Sequence, residues 1–214
     1  MTDQATRQVT LESILQLAPV VPVVVIHELA HAVPLARALV AGGTPAIEIT
    51  LRTPVALDAI RAVAEEVPGA HVGAGTVLTP ADLEAVTRAG ASFAVSPGVT
   101  AALLDAADDN PVPLLPGAAT ASEVMALLER GYTLQKCFPA EALGGKAMLR
   151  SWSAPLPAAR FCPTGGITTA SARDYLALPN VICVGGSWLA PHELLMTGNW
   201  HGIETLARAT ADLR

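Results

Sequence analysis

The fold is decided by residues 46–75, AIEITLRTPVALDAIRAVAEEVPGAHVGAG, in which two short apolar runs enclose one helical stretch. The runs, residues 46–51 and 70–75, have the length of buried strands. Between them, Thr53 precedes Pro54, which is typical of a helix start. The Ala, Leu, Glu and Arg residues that follow have helical periodicity. This stretch therefore predicts a strand–helix–strand unit with parallel strands.

The same unit recurs along the chain, with apolar runs at residues 20–26, 46–51, 70–75, 93–96, 113–115, 133–138, 160–163 and 181–184. Thr79 before Pro80, and Thr120 with capping-box spacing to Glu123, indicate further helix starts. Glycines at 42–43, 90 and 131 are placed to end helices. Eight such units with short loops predict an α/β fold of the (β/α)8 TIM barrel type. An open doubly wound sheet is the alternative.

Residues 12–17, before the first strand, predict an extra N-terminal helix that covers the bottom of the barrel. No linker, low-complexity tract or charge run divides the chain, so we expect a single (β/α)8 barrel domain over residues 1–214. In such a barrel the loops at the C-terminal strand ends carry the chemistry. Polar residues in or just after the strands are therefore the candidates for a functional site.

Composition and charge argue against several classes of protein. The net charge is −6 and no basic face is visible, which argues against a nucleic-acid partner. The start, Met1-Thr2-Asp3-Gln4, lacks the basic residues of a signal peptide. The longest apolar run, residues 20–26, is far shorter than the about 20 residues of a membrane helix. The cysteines Cys137, Cys162 and Cys183 lie in apolar segments, where reduced thiols are expected, so we expect a cytoplasmic protein.

Lys136 lies in the sixth predicted strand, on one face with Leu134 and Phe138. If that face is turned inward, the amine is removed from water, which disfavours its charged form and produces a nucleophile. A structural lysine that reaches solvent or pairs with a carboxylate fits the pattern equally well. The other lysine, Lys146, follows two glycines and is interpreted as a solvated residue or a phosphate contact.

Glu48 lies in the second predicted strand, on one face with Ala46, Thr50 and Arg52. An inward carboxylate needs a partner. Arg52 lies about 13 Å farther along the strand, so Lys136 on another strand is the better candidate. Such a pair is either structural or a general base beside an imine-forming amine. Arg52, at the mouth of the barrel, is placed to hold a substrate carboxylate with two hydrogen bonds.

Small polar residues follow three other strands. Thr76 places a hydroxyl at the end of the third strand, and glycine turns follow the last two strands at residues 164–168, TGGIT, and 185–188, GGSW. Barrels commonly bind phosphate there through backbone N–H groups that glycine lets a ligand approach. Tight turns that require positive φ are the alternative. We expect a phosphate site after strands seven and eight.

Residues 27–31, HELAH, match the HExxH pattern of zinc peptidases. That chemistry needs both histidines on one face of an established helix and a third ligand. His27 directly follows a strand, Pro34 is costly inside a helix, and no third ligand is apparent. We therefore predict no metal site here.

Nine stretches, taken in order, resemble the 2-keto-3-deoxy-6-phosphogluconate aldolase family, which also includes 4-hydroxy-2-oxoglutarate aldolase, over essentially the whole chain. They are residues 19–23 (PVVPV), 40–43 (VAGG), 47–53 (IEITLRT), 72–78 (VGAGTVL), 96–98 (SPG), 116–117 (PG), 136–141 (KCFPAE), 160–166 (RFCPTGG) and 185–189 (GGSWL). Several of these motifs are weak individually, but their order and spacing are specific.

The resemblance implies a class I aldolase, a homotrimeric (β/α)8 barrel that needs no metal ion or other cofactor. It implies that Lys136 forms the Schiff base and that Glu48 is the general acid/base. Arg52 and Thr76 are implied at the substrate carboxylate. The residues implied to line the pocket or bind phosphate are Pro97, Phe138, Thr164, Gly165, Gly166, Gly186 and Ser187.

The resemblance further implies that the partner is a small 2-keto acid, which we expect to carry a phosphate. From the charge and hydropathy we expect no nucleic-acid or membrane partner. The expected reaction cleaves 2-keto-3-deoxy-6-phosphogluconate to pyruvate and glyceraldehyde 3-phosphate. Cleavage of 4-hydroxy-2-oxoglutarate to pyruvate and glyoxylate is a further candidate. Cys137 departs from the family pattern, where an aromatic residue is common, and Leu143 stands where asparagine is expected. Both flank the lysine, so they concern specificity more than the reaction.

Two other functions are compatible with the residues. One is a phosphate-binding barrel isomerase or epimerase, in which Lys136 only pairs with Glu48. The other is a non-catalytic assembly subunit that uses the barrel for its surfaces. The set of Glu48, Lys136 and Arg52 argues against the subunit, because a scaffold has no need for buried charges.

Overall fold

The computed structural model describes residues 3–213, in which one leading helix is followed by alternating strands and helices. The strands are β1 (Val20–Val24), β2 (Ala46–Thr50), β3 (His71–Gly75), β4 (Phe93–Val95), β5 (Leu114–Leu115), β6 (Gly117–Ala118), β7 (Leu134–Cys137), β8 (Arg160–Pro163) and β9 (Val184–Gly186). The α-helices are α1 (Gln4–Leu15), α2 (Ala32–Ala41), α3 (Ala56–Glu66), α4 (Pro80–Arg88), α5 (Ala101–Asp109), α6 (Ala121–Glu129), α7 (Gly145–Trp152), α8 (Thr169–Leu176), α9 (His192–Met196) and α10 (Trp200–Arg208). The described residues do not include Met1, Thr2 and Arg214. The predicted domain contains all three, and the argument against a signal peptide uses the first two.

All strand pairs within the described residues are parallel. Hydrogen bonds join six strands in the order β5-β4-β3-β2-β1-β9 and three in the order β6-β7-β8. Pro116, which has no N–H to donate, separates β5 from β6. Isolated parallel bridges pair Phe161 with Val181 and Thr164 with Gly185, between the β8 and β9 regions. The predicted parallel α/β architecture is confirmed as a curled sheet surrounded by helices.

Two apolar clusters occupy the two faces of the strands. Ile47 and Ile49 belong to the larger cluster, which the strands share with the surrounding helices. Leu134 belongs to the smaller, inner cluster on the opposite strand faces. This is the period-two alternation expected of buried strands. It turns Glu48 and Lys136, both buried, toward the inner side.

Helix α1 covers the amino-terminal ends of the strands. Its buried apolar residues lie in the inner cluster, and Gln8 Oε1 accepts a 2.9 Å hydrogen bond from the N–H of Leu134, the first residue of β7. The extra helix is therefore confirmed, but its predicted range, residues 12–17, was wrong. The helix begins earlier because Asp3 caps it, accepting a 2.7 Å hydrogen bond from the Thr6 N–H.

Local signals correctly predicted several helix ends. Thr79 caps α4 as predicted and forms a full capping box with Asp82, and Thr120 forms the predicted capping box with Glu123. Glycines with positive φ follow α2, α4 and α6. The predicted cap at Thr53 was wrong. Its hydroxyl donates a 2.6 Å hydrogen bond to the Ile26 carbonyl, and α3 begins after Val55 instead. Thr53 thus fastens the end of β2 to the loop after β1.

The position of the last predicted strand was wrong. Residues 181–184 were expected to form it, whereas β9 is Val184–Gly186 and Val181 makes only an isolated bridge. The prediction stopped early because the glycines at its end were interpreted as a turn. Within residues 3–213, no helix has both the length and the apolar character required to cross a bilayer.

Candidate active site

Lys136 and Glu48 meet on the inner side of the strands. Lys136 Nζ lies 3.2 Å from Glu48 Oε1, and each side chain is 5% exposed. Their strands, β7 and β2, are not neighbours in either sheet, so the contact crosses the interior. The predicted proximity of the two residues is therefore confirmed. Nζ also lies 5.2 Å from the centroid of the Phe138 ring, within cation–π range.

This pair places a primary amine and a carboxyl group within hydrogen-bonding distance and away from bulk water. Mutual attraction favours the ammonium–carboxylate form, whereas desolvation favours the neutral form. Transfer of one proton from Nζ to Oε1 interconverts the two forms without moving a heavy atom. The arrangement can therefore supply a nucleophilic amine and a carboxylic acid in one step.

Arg52 and Thr76 form the second polar contact of the site. Arg52 Nε donates a 3.1 Å hydrogen bond to Thr76 Oγ1, and the exposed guanidinium lies just beyond the end of β2. Thr76 has a φ of 62°, and no other non-glycine residue between 3 and 213 has a positive φ. A β-branched residue in this conformation costs about 1–2 kcal/mol. Such strain is concentrated at functional sites, where the surrounding structure enforces it.

The turn after β8 has the positive φ values that the tight-turn alternative requires. Gly165 and Gly166 have φ values of 100° and 80°, so both residues use the conformational freedom of glycine. Thr164, just before them, is buried and bridges to Gly185 on the neighbouring strand. The bridge brings the ends of β8 and β9 to one edge of the sheet.

The glycines of β9 are required by close packing and not by a positive φ. Gly185 and Gly186 were predicted to form a turn, but they are strand residues without positive φ, so that prediction was wrong. A Cβ atom on Gly185 would lie 2.2 Å from Thr164 Oγ1, and one on Gly186 would lie 2.2 Å from the Trp188 ring. They provide space for neighbours, not a change of direction. Ser187 follows them and is exposed.

Phe138 lies beside the lysine amine, and Pro97 packs against the strand next to the lysine. Phe138 is the residue after β7, and Pro97 lies in the loop after β4; both are half-buried. Gly117, the register partner of Lys136, packs against Pro97, because a Cβ atom there would lie 2.3 Å from the Pro97 carbonyl. The structure thus brings every predicted site residue to the carboxyl-terminal side of the strands or the adjoining interior.

Two residues of this region were missed by the sequence analysis. The Tyr175 hydroxyl, on α8, donates a 2.8 Å hydrogen bond to Glu141 Oε1, and the Glu141 N–H donates to the Gly165 carbonyl at 3.1 Å. Burial, together with the Glu141 carboxylate, raises the pKa of Tyr175, so its hydroxyl stays a donor. Glu141 also fills the space beside Gly166. Glu141 lies in the KCFPAE motif at residues 136–141, but no sequence motif or spacing distinguishes Tyr175.

The two departures from the family pattern are Cys137 and Leu143. Cys137 is fully buried in the larger cluster, on the strand face opposite Lys136, and burial raises the pKa of its thiol to about 12. Leu143 is half-buried in a short 3-10 turn at residues 141–143. Lys146 pairs with Asp174 at 2.5 Å on the helical surface, which favours its interpretation as a solvated residue.

The HELAH stretch does not form a zinc-peptidase helix. His27 lies in the loop after β1, and residues 29–31 form a separate 3-10 turn. His31 Nε2 lies 3.7 Å from Glu28 Oε2, and the His27 ring packs edge-on against His192. In the part of the chain that the structure describes, no group of three or more His, Cys, Asp or Glu residues is arranged to hold a metal ion.

Comparison with known proteins identifies the family. A family model described as KDPG and KHG aldolase matches residues 11–206. The KHG/KDPG aldolase of Escherichia coli K12 is 55% identical over 201 residues, which cover 94% of each chain. KDPG and KHG denote 2-keto-3-deoxy-6-phosphogluconate and 4-hydroxy-2-oxoglutarate.

Two solved structures have the same fold as this chain and about half of its residues in common. The KDPG aldolase of Legionella pneumophila, with pyruvate captured at low pH as a covalent carbinolamine intermediate, superposes with a TM-score of 0.92 at 47% identity, covering 94% of this chain and 98% of that one. The 2-keto-3-deoxy-6-phosphogluconate aldolase of Zymomonas mobilis ZM4, with 3-phosphoglycerate, gives a TM-score of 0.90 at 47% identity and covers 95% of each chain. The chain therefore belongs to the KDPG and KHG aldolase family.

Proposed function

We propose that this chain is a class I aldolase that cleaves 2-keto-3-deoxy-6-phosphogluconate to pyruvate and glyceraldehyde 3-phosphate. The observation that carries the proposal is the buried 3.2 Å contact between Lys136 Nζ and Glu48 Oε1. The pyruvate carbinolamine in the Legionella pneumophila relative supports the same chemistry here. The name of the Escherichia coli relative supports 4-hydroxy-2-oxoglutarate, cleaved to pyruvate and glyoxylate, as a second substrate.

The first half of the mechanism forms the imine. Lys136, having passed its proton to Glu48, attacks the C2 ketone and gives a carbinolamine. Glu48, now a carboxylic acid, protonates the departing hydroxyl, so that water leaves and a protonated imine remains. Glu48 is then a carboxylate again, ready to act as a base.

The second half breaks the carbon–carbon bond. Glu48 takes the proton of the C4 hydroxyl, the C3–C4 electron pair moves toward the protonated imine, and the aldehyde leaves. The resulting enamine takes the proton back from Glu48 at C3, and water hydrolyses the imine to pyruvate and free Lys136. The covalent intermediate supplies the electron sink, so the residues need no other group for this step.

The two ends of the substrate meet complementary groups in this arrangement. The Arg52 guanidinium, held by Thr76, binds the carboxylate next to the ketone. At the opposite end, the positive-φ glycines Gly165 and Gly166 expose backbone N–H groups for the phosphate. Gly186 at the end of the adjoining strand, and Ser187 just after it, lie beside them. Phe138 and Pro97 form the walls near the reacting carbons, and Thr164 supports the phosphate turn.

We also place this site in a closed (β/α)8 barrel formed by one domain over residues 1–214. The support is the continuity of pairing: β5 and β6 carry the register across Pro116, and two bridges link the β8 region with β9. A homotrimer is inferred from the family resemblance, and exposed apolar side chains such as Leu78 and Met125 are compatible with it. No disulfide joins the three buried cysteines, which suits the reducing cytoplasm.

The decisive experiment is intact-mass spectrometry after incubation with pyruvate and sodium borohydride, with Lys136→Ala as the control. We expect a pyruvate-sized mass increase in the wild type and none in the variant, because only an imine is reduced to a stable adduct. A folded wild type without an adduct would refute the aldolase mechanism. That result would instead favour a phosphate-binding isomerase, in which Lys136 only pairs with Glu48.

A further inference from the structure

Gly75, the last residue of β3, lies directly against the carboxylate of Glu48. A Cβ atom built on Gly75 would lie 2.1 Å from Glu48 Oε1 and 2.8 Å from both Cδ and Cγ of that residue. Oε1 is the same oxygen that contacts Lys136 Nζ at 3.2 Å. Gly75 is buried and pairs in register with Thr50, two residues beyond Glu48 on β2. The carboxylate therefore occupies the volume where any other residue at position 75 would place its side chain.

Backbone geometry does not explain a glycine at this position. Gly75 has no positive φ, unlike Gly165 and Gly166, so an ordinary L-residue can adopt its conformation. Glycine also weakens a strand, because it adds no packing and loses more entropy on folding. The feature that distinguishes this glycine is the space it leaves for the carboxylate.

We propose that Gly75 is a positioning residue for the aldol reaction, which sets the Glu48 carboxylate against the Lys136 amine by leaving room for it. The inference rests on the proposed function, because it assigns Gly75 to the acid/base step of that mechanism. A methyl group at position 75 displaces the end of the Glu48 side chain. That end is flexible, so the chain can still fold, but Oε1 loses its contact with Nζ.

The displacement affects proton transfer more than imine formation at saturating pyruvate. Lys136 keeps its own strand and its register with Gly117, so an adduct can still accumulate. Glu48, moved from its place, no longer reaches the C3 methyl group of the bound pyruvate imine. Removal of a C3 proton and its return as a deuteron in heavy water therefore slows, and this exchange needs no aldehyde.

The test compares Gly75→Ala with Gly98→Ala. Gly98 lies close to the site in sequence, beside Pro97, has no positive φ, and has nothing within 4 Å of an added Cβ atom. Each variant is assayed for thermal unfolding, borohydride trapping of pyruvate, and exchange of the pyruvate methyl protons followed by NMR. We expect Gly75→Ala to trap pyruvate. The pyruvate methyl protons should exchange at least about tenfold more slowly than with the wild type, since a positioned acid/base contributes about 10²–10⁴-fold. Gly98→Ala should match the wild type in every assay.

A double-mutant cycle with Glu48→Gln tests whether Gly75 acts through Glu48. If it does, Gly75→Ala adds little to the loss already caused by Glu48→Gln. Wild-type exchange in Gly75→Ala, or losses that multiply in the double variant, would overturn the inference. If Gly75→Ala does not fold, Gly75→Ala with Glu48→Ala must fold, because the truncated side chain vacates the space. Failure of that pair to fold would place the obstruction elsewhere and overturn the inference too.

These outcomes separate the two proposals. A wild type that neither traps pyruvate nor exchanges its methyl protons contradicts the aldolase function itself. A wild type that does both, beside a Gly75→Ala variant that behaves like it, contradicts only the role of Gly75.

Discussion

Glu48 Oε1 and Lys136 Nζ lie 3.2 Å apart although 88 positions separate the two residues in the chain. Both side chains are almost fully buried, and they face each other from strands that are not neighbours in either sheet. Burial of two charges costs several kcal/mol per ion, which their attraction offsets only in part. The pair is therefore explained better by the chemistry it makes available than by stability.

Replacing both charged residues tests whether their attraction offsets the cost of burying them. Glu48→Leu combined with Lys136→Met replaces the pair by apolar side chains, and we expect stability equal to the wild type or higher by about 1–4 kcal/mol. Glu48→Leu alone leaves the amine buried without its partner and should cost about 3–5 kcal/mol. Urea unfolding measures both, and borohydride trapping should fail in the double variant. A double variant less stable than Glu48→Leu would show that the pair is needed for folding.

Thr76 adopts a strained backbone conformation and places its hydroxyl group beside Arg52. Thr76→Gly relieves the positive φ and should raise the free energy of unfolding by up to about 1 kcal/mol, less than the full strain because glycine also gains entropy in the unfolded chain. The same change removes the acceptor of the 3.1 Å hydrogen bond from Arg52, so the KM for the keto acid should rise. Thr76→Ser, which keeps the hydroxyl, is the control and should retain the wild-type KM. Equal KM values in all three proteins would contradict a role for Thr76 in holding Arg52.

Tyr175 connects the loop after β7 to the proposed phosphate turn through Glu141. Tyr175→Phe removes one hydrogen bond, worth about 0.5–1.5 kcal/mol. We expect kcat/KM for 2-keto-3-deoxy-6-phosphogluconate to fall by about two- to tenfold relative to the value for 4-hydroxy-2-oxoglutarate, which has no phosphate. Tyr132→Phe is the matched control, because Tyr132 donates a similar bond to Asp108 elsewhere. A uniform loss on both substrates would indicate a general effect on stability.

Cys137 makes stability depend on alkaline pH. Burial raises the pKa of its thiol from 9.0 to about 12, so below pH 9 both the folded and unfolded states carry the proton. Between these values the unfolded state loses the proton while the folded state keeps it, so the free energy of unfolding decreases by up to about 1.4 kcal/mol per pH unit. In urea titrations between pH 9 and 11, the free energy of unfolding of Cys137→Ala should decrease less steeply, because the variant lacks this thiol. Some decrease should remain, because the tyrosines are present in both proteins. Identical slopes would mean that the thiol ionises equally in both states.

Much of the fold could be predicted because its signals are local. Hydrophobic alternation placed Ile47 and Ile49 toward the helices and Glu48 toward the interior. The proline after Thr79 and the capping-box spacing of Thr120 identified two helix caps. Prediction failed where a local pattern had two interpretations. Thr53 before proline looked like a cap, but its hydroxyl bonds to another strand's loop, and the glycines of β9 looked like a turn.

The sequence by itself therefore determined the parallel α/β class and the candidate catalytic residues, because backbone propensity and side-chain alternation act between near neighbours in the chain. Only the tertiary structure decided which groups touch. The distance between Glu48 and Lys136, the bond from Tyr175 to Glu141, and the space that Gly75 leaves for a carboxylate all depend on strand order and curvature. A glycine carries no record of the neighbour it accommodates, since its contribution is the absence of a side chain, and that absence has meaning only once the neighbouring strand is in place.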